Sequence, residues 1–190
     1  MARNGLRFRM VNIITFNDPV AFEHAFNKAV SRGLMTQNQY WFIARELYTS
    51  RPCHLLVIGA GYDSELWYRC VEGHVIFIEE IPELVSQVPN CMQYTFASKV
   101  GQWCPVPELP QAINKPWDYV LVDGPGGYDQ NTSGRQIPVA WASKLARKAI
   151  FVHDYERPWE KEICDKYLGE ATEMIEAENR DDRCLAVFRR

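Results

Sequence analysis

Four apolar runs that stop abruptly constrain this chain more than any other feature: HLLVI before Gly59, VIFI before Glu79-Glu80, VLV before Asp123-Gly124 and IFV before His153-Asp154. Each is apolar at nearly every position instead of alternating, the pattern of a strand covered on both faces. MQYTF is a weaker run between the second and third of these, which makes five strands. Helical spacing fills 63–71 and 136–147 between runs and 158–168 after the last. Strands alternating with helices predict a mostly parallel sheet with helices on both faces.

Both ends of the chain qualify this picture. Asp18-Pro19 is an N-cap and N1 pair ahead of VAFEHAFNKAVSRG, where Val20, Phe22, Ala25, Phe26, Ala29 and Val30 fall near helical spacing and Gly33 closes the helix. A second helix over 36–48 carries Tyr40, Trp41, Ile43, Ala44 and Leu47 as packing residues. At the other end, TEMIEAENRDDRCLAVFRR reads as two strands about a polar turn at 178–183. A plain dinucleotide-binding domain does not usually finish on a hairpin; class I methyltransferases do, with the last strand antiparallel in the sheet. The expected fold is therefore α/β and Rossmann-like, of the class I methyltransferase kind. It is one domain over 1–190, with a helical cap at 1–50 and the core at 51–190.

A chain of 190 residues suits one sizeable core. A net charge of −3 gives no basic excess that would mark a nucleic-acid binder. The six cysteines form no C-x-x-C pair, which argues for reduced thiols and against zinc. The apolar stretch at 10–16 is broken by Asn12 and lacks a cleavage site, so no signal peptide, membrane span or membrane partner is expected and the placement is cytoplasmic.

The turn Gly59-Ala60-Gly61-Tyr62-Asp63-Ser64 follows the first strand directly. Glycines there allow a sharp turn and close approach of a ligand. Ser64 stands where the dinucleotide fingerprint has its third glycine, so a cofactor without a pyrophosphate suits the turn at least equally. Glu79, twenty positions after Gly59, is placed to accept hydrogen bonds from two ribose hydroxyls, with Glu80 as the alternative. Gly59, Gly61, Tyr62, Asp63, Ser64, Glu79, Glu80 and Asp123 are thus the candidate cofactor residues.

Open parallel sheets bind ligands beyond the carboxyl ends of their strands. Asp123, His153 and Asp154 sit at two such ends and are the candidate catalytic set. Any of them can take the proton of an attacking hydroxyl, His153 most readily near neutral pH. The same three can instead hold a divalent cation, Mg or Mn, that activates the hydroxyl. The loop GPGGYDQNTSGR offers Tyr128 and Arg135, and Arg157 follows the His-Asp pair; these are candidate contacts to an acceptor.

The pieces HLLVIGAGYDSELW, VIFIEE, VDGPGGYDQNTSGR and FVHDYER, in this order over roughly 52–160, resemble the polysaccharide biosynthesis methyltransferase family that includes plant glucuronoxylan 4-O-methyltransferases. The resemblance implies S-adenosylmethionine as donor, a sugar hydroxyl of a glycan as acceptor (a uronic acid, or a deoxyhexose such as rhamnose) and metal assistance. It also implies that Gly59, Gly61, Asp63, Ser64 and Glu79 line the cofactor site while Asp123, His153 and Asp154 face the acceptor. Two other readings stay open on the residues alone: a catechol-type small-molecule O-methyltransferase and a non-catalytic nucleotide-binding domain.

Overall fold

The computed structural model describes residues 18–178 and 180–190. The stretch at 10–16, on which the expectation of no signal peptide rests, lies outside them. No helix among the described residues is long and apolar enough to cross a membrane.

Helices α1 (Pro19–Arg32) and α2 (Gln37–Thr49) form the cap at the predicted places. Asp18 Oδ1 accepts from Ala21 N–H at 3.0 Å, and Thr36 with Gln39 makes a capping box at the head of α2. Phe22, Ala25 and Ala29 are buried, but Val20 is not: it is 77% exposed, because the first turn of α1 projects past the core.

The core then runs β1 (Leu55–Ile58), α3 (Ser64–Cys70), β2 (Val75–Glu79), α4 (Pro82–Gln87), β3 (Cys91–Gln93), β4 (Trp117–Val122), α5 (Gln136–Leu145), β5 (Ala146–His153), α6 (Pro158–Tyr167), β6 (Glu173–Ala177) and β7 (Arg180–Arg189). The sheet order is β3-β2-β1-β4-β5-β7-β6, with β7 antiparallel to both β5 and β6 and the strands from β1 to β5 parallel to their neighbours. Two apolar clusters cover the two faces. One joins the cap helices and α3 to Leu55, Val57, Tyr119 and Phe151. The other joins α5 and α6 to Leu56, Ile58, Val120, Val122 and Val152. Alternate residues of each central strand therefore go to opposite clusters, which is why these runs are apolar throughout.

Three boundaries differ from the sequence expectation. The third strand keeps only Cys91–Gln93, since Tyr94 and Phe96 turn their rings onto Trp141. Helix α5 ends at Leu145 and β5 begins at the next residue, so no loop separates them. The expected turn at 178–183 is shorter, because β7 already starts at Arg180.

Candidate active site

Strand register brings four of the predicted positions into one line. Ile58 pairs with Ile78 on one side and with Val122 on the other, and Val122 pairs with Val152. The next residue of each strand is therefore Glu79, Gly59, Asp123 and His153, side by side at the carboxyl rim.

Gly59 has φ +110, and a Cβ there would come within 2.8 Å of Gly124 N. Gly124 is equally bare, since its own Cβ would meet Gly59 Cα at 2.8 Å. The two glycines let the turns after β1 and β4 touch backbone to backbone. Glu79 braces this turn: Oε2 accepts from Ala60 N–H at 2.9 Å, while Oε1 accepts from Glu80 N–H and Ile81 N–H. A carboxylate has about four acceptor sites and these three bonds leave one, on Oε2, so Glu79 keeps capacity for a ribose hydroxyl there. Buried Ser64 ties the turn from the other side by accepting from Gly61 N–H at 3.0 Å. Gly61 is less constrained, its missing Cβ facing only Asp63 Oδ1 at 3.6 Å.

Glu80, the alternative acid, is held from the other side of the rim. Its Oε1 accepts from Phe96 N–H at 2.8 Å and from the Ser133 hydroxyl at 2.9 Å, so it fastens the segments after β3 and β4 together. Tyr62 is 54% exposed, with the Arg32 guanidinium 5.6 Å from its ring centre. Asp63 is buried and its carboxyl does not cap α3. Burial, and then the nearby Asp123 charge, push it up to about 7.

His153 Nδ1 lies 2.7 Å from Asp123 Oδ1. The Asp123 side chain is 17% exposed and the imidazole 0%, with Nε2 buried and unpaired. The histidine expected to face the acceptor as a base therefore sits behind the aspartate. Asp123 faces the rim, and His153 orients it.

Asp154 is committed elsewhere. It takes φ +58, a left-handed conformation that aspartate tolerates better than most residues, and this turns its side chain inward. Its Oδ2 meets Arg135 Nη2 at 3.0 Å and Arg157 Nη2 at 2.8 Å, and Arg183 Nε lies 3.7 Å from Oδ1. Burial works to raise its pKa, but Arg135, His153, Arg157 and Arg183 together hold it below the ordinary value. The expectation that Asp154 meets substrate or metal is corrected accordingly. A divalent cation at Asp123, His153 and Asp154 does not fit this donor set, because the Asp154 carboxylate is already neutralised by guanidinium groups that would repel the metal. Among the described residues no group of three or more His, Cys, Asp or Glu is arranged to hold a metal ion.

The arginines expected to bind substrate instead build the loop. Arg135 is 2% exposed; it donates to Pro125 O at 2.9 Å, to Asp123 O at 3.3 Å and to His153 O. Arg157 Nη1 donates to Gly126 O at 2.7 Å. The carbonyls of Asp123, Pro125 and Gly126 thus all turn into one arginine clasp anchored on Asp154. Tyr128, 71% exposed, folds over Gly126, whose Cβ would sit 2.7 Å from its ring, and presents its outer face beside the Asp123 loop.

Two members of this centre were not singled out in the sequence. Arg183 falls in a stretch read as a turn and arrives only through the long-range pairing of β7. Glu160 looked like an ordinary acid in the first turn of α6, yet it is 0% exposed.

A family model described as IRX15/IRX15L/GXM matches residues 87–181. The chain is 29% identical over 170 residues to glucuronoxylan 4-O-methyltransferase 2 of Arabidopsis thaliana, covering 66% of this chain and 59% of that protein. It is 25% identical over 162 residues to arabinogalactan O-methyltransferase 2 of the same plant, covering 63% and 56%. The chain thus spans less than two thirds of the length of these relatives. Among solved structures, an O-methyltransferase of Bacillus cereus in complex with SAH superposes with a TM-score of 0.53 at 14% identity, covering 91% of this chain and 92% of that one. That likeness shows the fold: a class I methyltransferase sheet with its antiparallel final strand.

Proposed function

The chain belongs to the IRX15/IRX15L/GXM family, and from that premise we propose that it is an S-adenosylmethionine-dependent O-methyltransferase acting on a sugar hydroxyl of a polysaccharide. The observation that carries this reading is the single line of Glu79, Gly59, Asp123 and His153 set by strand register at one rim. It puts a glycine turn with a ribose-competent acid directly beside a carboxylate backed by an imidazole. The names of the relatives, glucuronoxylan and arabinogalactan O-methyltransferases, support a saccharide acceptor.

When bound, S-adenosylmethionine supplies a methyl carbon activated by its sulfonium; Gly59, Ala60, Gly61 and Glu79 would hold it. The rest belongs to the chain. The acceptor oxygen must shed its proton as it attacks, and Asp123 is the half-buried carboxylate at the rim able to take it. His153 fixes which Asp123 oxygen is free, through the 2.7 Å contact to Oδ1. The arginine clasp fixes the height of the loop, and the outer face of Tyr128 offers a flat apolar surface for a pyranose ring. The acceptor sugar is a uronic acid or a deoxyhexose such as rhamnose. A metal-assisted variant would need Asp154 to leave its arginines, which weighs against it; full turnover in EDTA is the expected result.

The deciding experiment is mass spectrometry of a glycan panel incubated with isotopically labelled donor. Label on saccharides, abolished in Asp123→Asn while calorimetric cofactor affinity is kept, is expected. Label on catechols but on no saccharide would overturn the acceptor assignment, and failure to bind S-adenosylmethionine would overturn the activity.

A further inference from the structure

Among the described residues, seven buried side-chain nitrogen and oxygen atoms lack a hydrogen-bond partner, and five of them fall within residues 153–160: His153 Nε2, Asp154 Oδ1, Trp159 Nε1 and both oxygens of Glu160. Glu160 is the extreme case. It is fully buried, and neither oxygen receives a hydrogen bond. Burying a carboxyl without donors costs stability. A Met or Gln of similar size would fill the space more cheaply, so packing alone does not account for an acid there.

What Glu160 touches gives the account. Gly127 has φ +64, and the Cβ it lacks would lie 2.5 Å from Glu160 Oε1, 3.5 Å from Arg157 Nη1 and 3.7 Å from Arg135 Nε. The acid and the two arginines that grip the carbonyls of residues 123, 125 and 126 therefore crowd the one side of Gly127 where a Cβ would stand. Around Asp154 there are three guanidinium groups and one carboxylate; Glu160 is the second negative charge close enough to act on Arg135 and Arg157. Burial raises its pKa, and those two arginines partly offset the rise.

We propose that Glu160 is a positioning residue of the acceptor loop: it forms the floor under Gly127 and supplies the through-space charge that keeps Arg135 and Arg157 drawn in, and through them it sets where Asp123 meets the acceptor. Residues 123–128 then owe their placement to a group that costs the fold stability. The inference rests on the proposed methyl transfer only for its kinetic readout, since loop placement can be measured without turnover.

The test compares wild type with Glu160→Met and Glu160→Gln. Both replacements keep the volume of the side chain, so both variants should stay folded, with a cooperative melt by circular dichroism as the check. Both should nevertheless lose about tenfold to a hundredfold in kcat/KM for the saccharide, the scale of a small misplacement of reacting groups. Calorimetric affinity for S-adenosylmethionine should not change. Hydrogen–deuterium exchange read by mass spectrometry should rise in peptides covering 123–134 and stay constant over α2 and β7. Stable variants with wild-type exchange in that loop overturn the proposal whatever the activity. Wild-type kcat/KM in both variants overturns it too. If wild type methylates no saccharide while the loop exchange responds as expected, the acceptor assignment fails and the positioning role stands.

Discussion

Arg135→Met isolates the arginine clasp. The side chains of Arg135 and Asp154 are each 2% exposed and meet at 3.0 Å. Removing one partner of a buried pair typically costs about 3–5 kcal/mol, because the other is left as a buried charge. Arg157 and Arg183 remain near Asp154, which favours the lower end, about 3 kcal/mol. That is a large share of the roughly 5–15 kcal/mol available to a domain. At about 2–4 °C per kcal/mol for a chain of this size, the melting temperature should fall by roughly 6–12 °C. Scanning calorimetry measures the drop, and urea titration supplies the free energy. Turnover should fall as well, since the carbonyls of Asp123, Pro125 and His153 lose their donor. A variant melting within about 2 °C of wild type would refute the view of Arg135 as a buried clasp.

Other outcomes follow from the same geometry. Gly59→Ala should sharply weaken cofactor binding by calorimetry and cost about 1–3 kcal/mol from backbone strain alone, whereas Gly61→Ala, with only Asp63 Oδ1 at 3.6 Å to meet, should change little; equal effects would contradict the close approach of β1 and β4. Asp63, pushed up to about 7 first by burial and then by Asp123, keeps in the folded state a proton that the unfolded chain releases near the ordinary Asp value of 3.8. Stability therefore falls as pH rises through that interval, and Asp63→Asn removes the loss. Its melting temperature relative to wild type should climb from pH 4 to pH 7 and then level off; a pH-independent difference would contradict it. Tyr128→Ala should raise KM for a saccharide with little change in kcat, as expected for a contact made equally to ground and transition state.

The parts of this centre legible in the sequence were those encoded by local runs. Each central strand is apolar to its last residue and then stops, so the residues at the rim, Gly59, Glu79, Asp123 and His153, could be named from chain order. What the runs did not reveal was which way each polar side chain turns. Asp154 looked equivalent to Asp123 as an acid after a buried strand; its left-handed backbone sends it inward instead. Arg135, opening a helix, looked like a contact to the acceptor, yet the loop carbonyls it satisfies come from residues 123 and 125, ten or more positions earlier. Arg183 depends on β7 pairing with β5, and no local pattern carries that. The weak third run was overestimated because Tyr94 and Phe96 are as apolar as strand residues but are spent on Trp141.

The place of β7 in the sheet has a consequence for how the protein comes into being on the ribosome. β7 lies between β5 and β6, and β6 pairs with it alone. As synthesis proceeds, β5 emerges with one open edge and β6 emerges with no neighbour to join, so both must wait for residues 180–189 to clear the exit tunnel. Pairings this distant from the first strands slow closure and leave apolar edges unprotected during the delay. Until β7 arrives these edges stay open to aggregation, and chaperone engagement should be high in that interval.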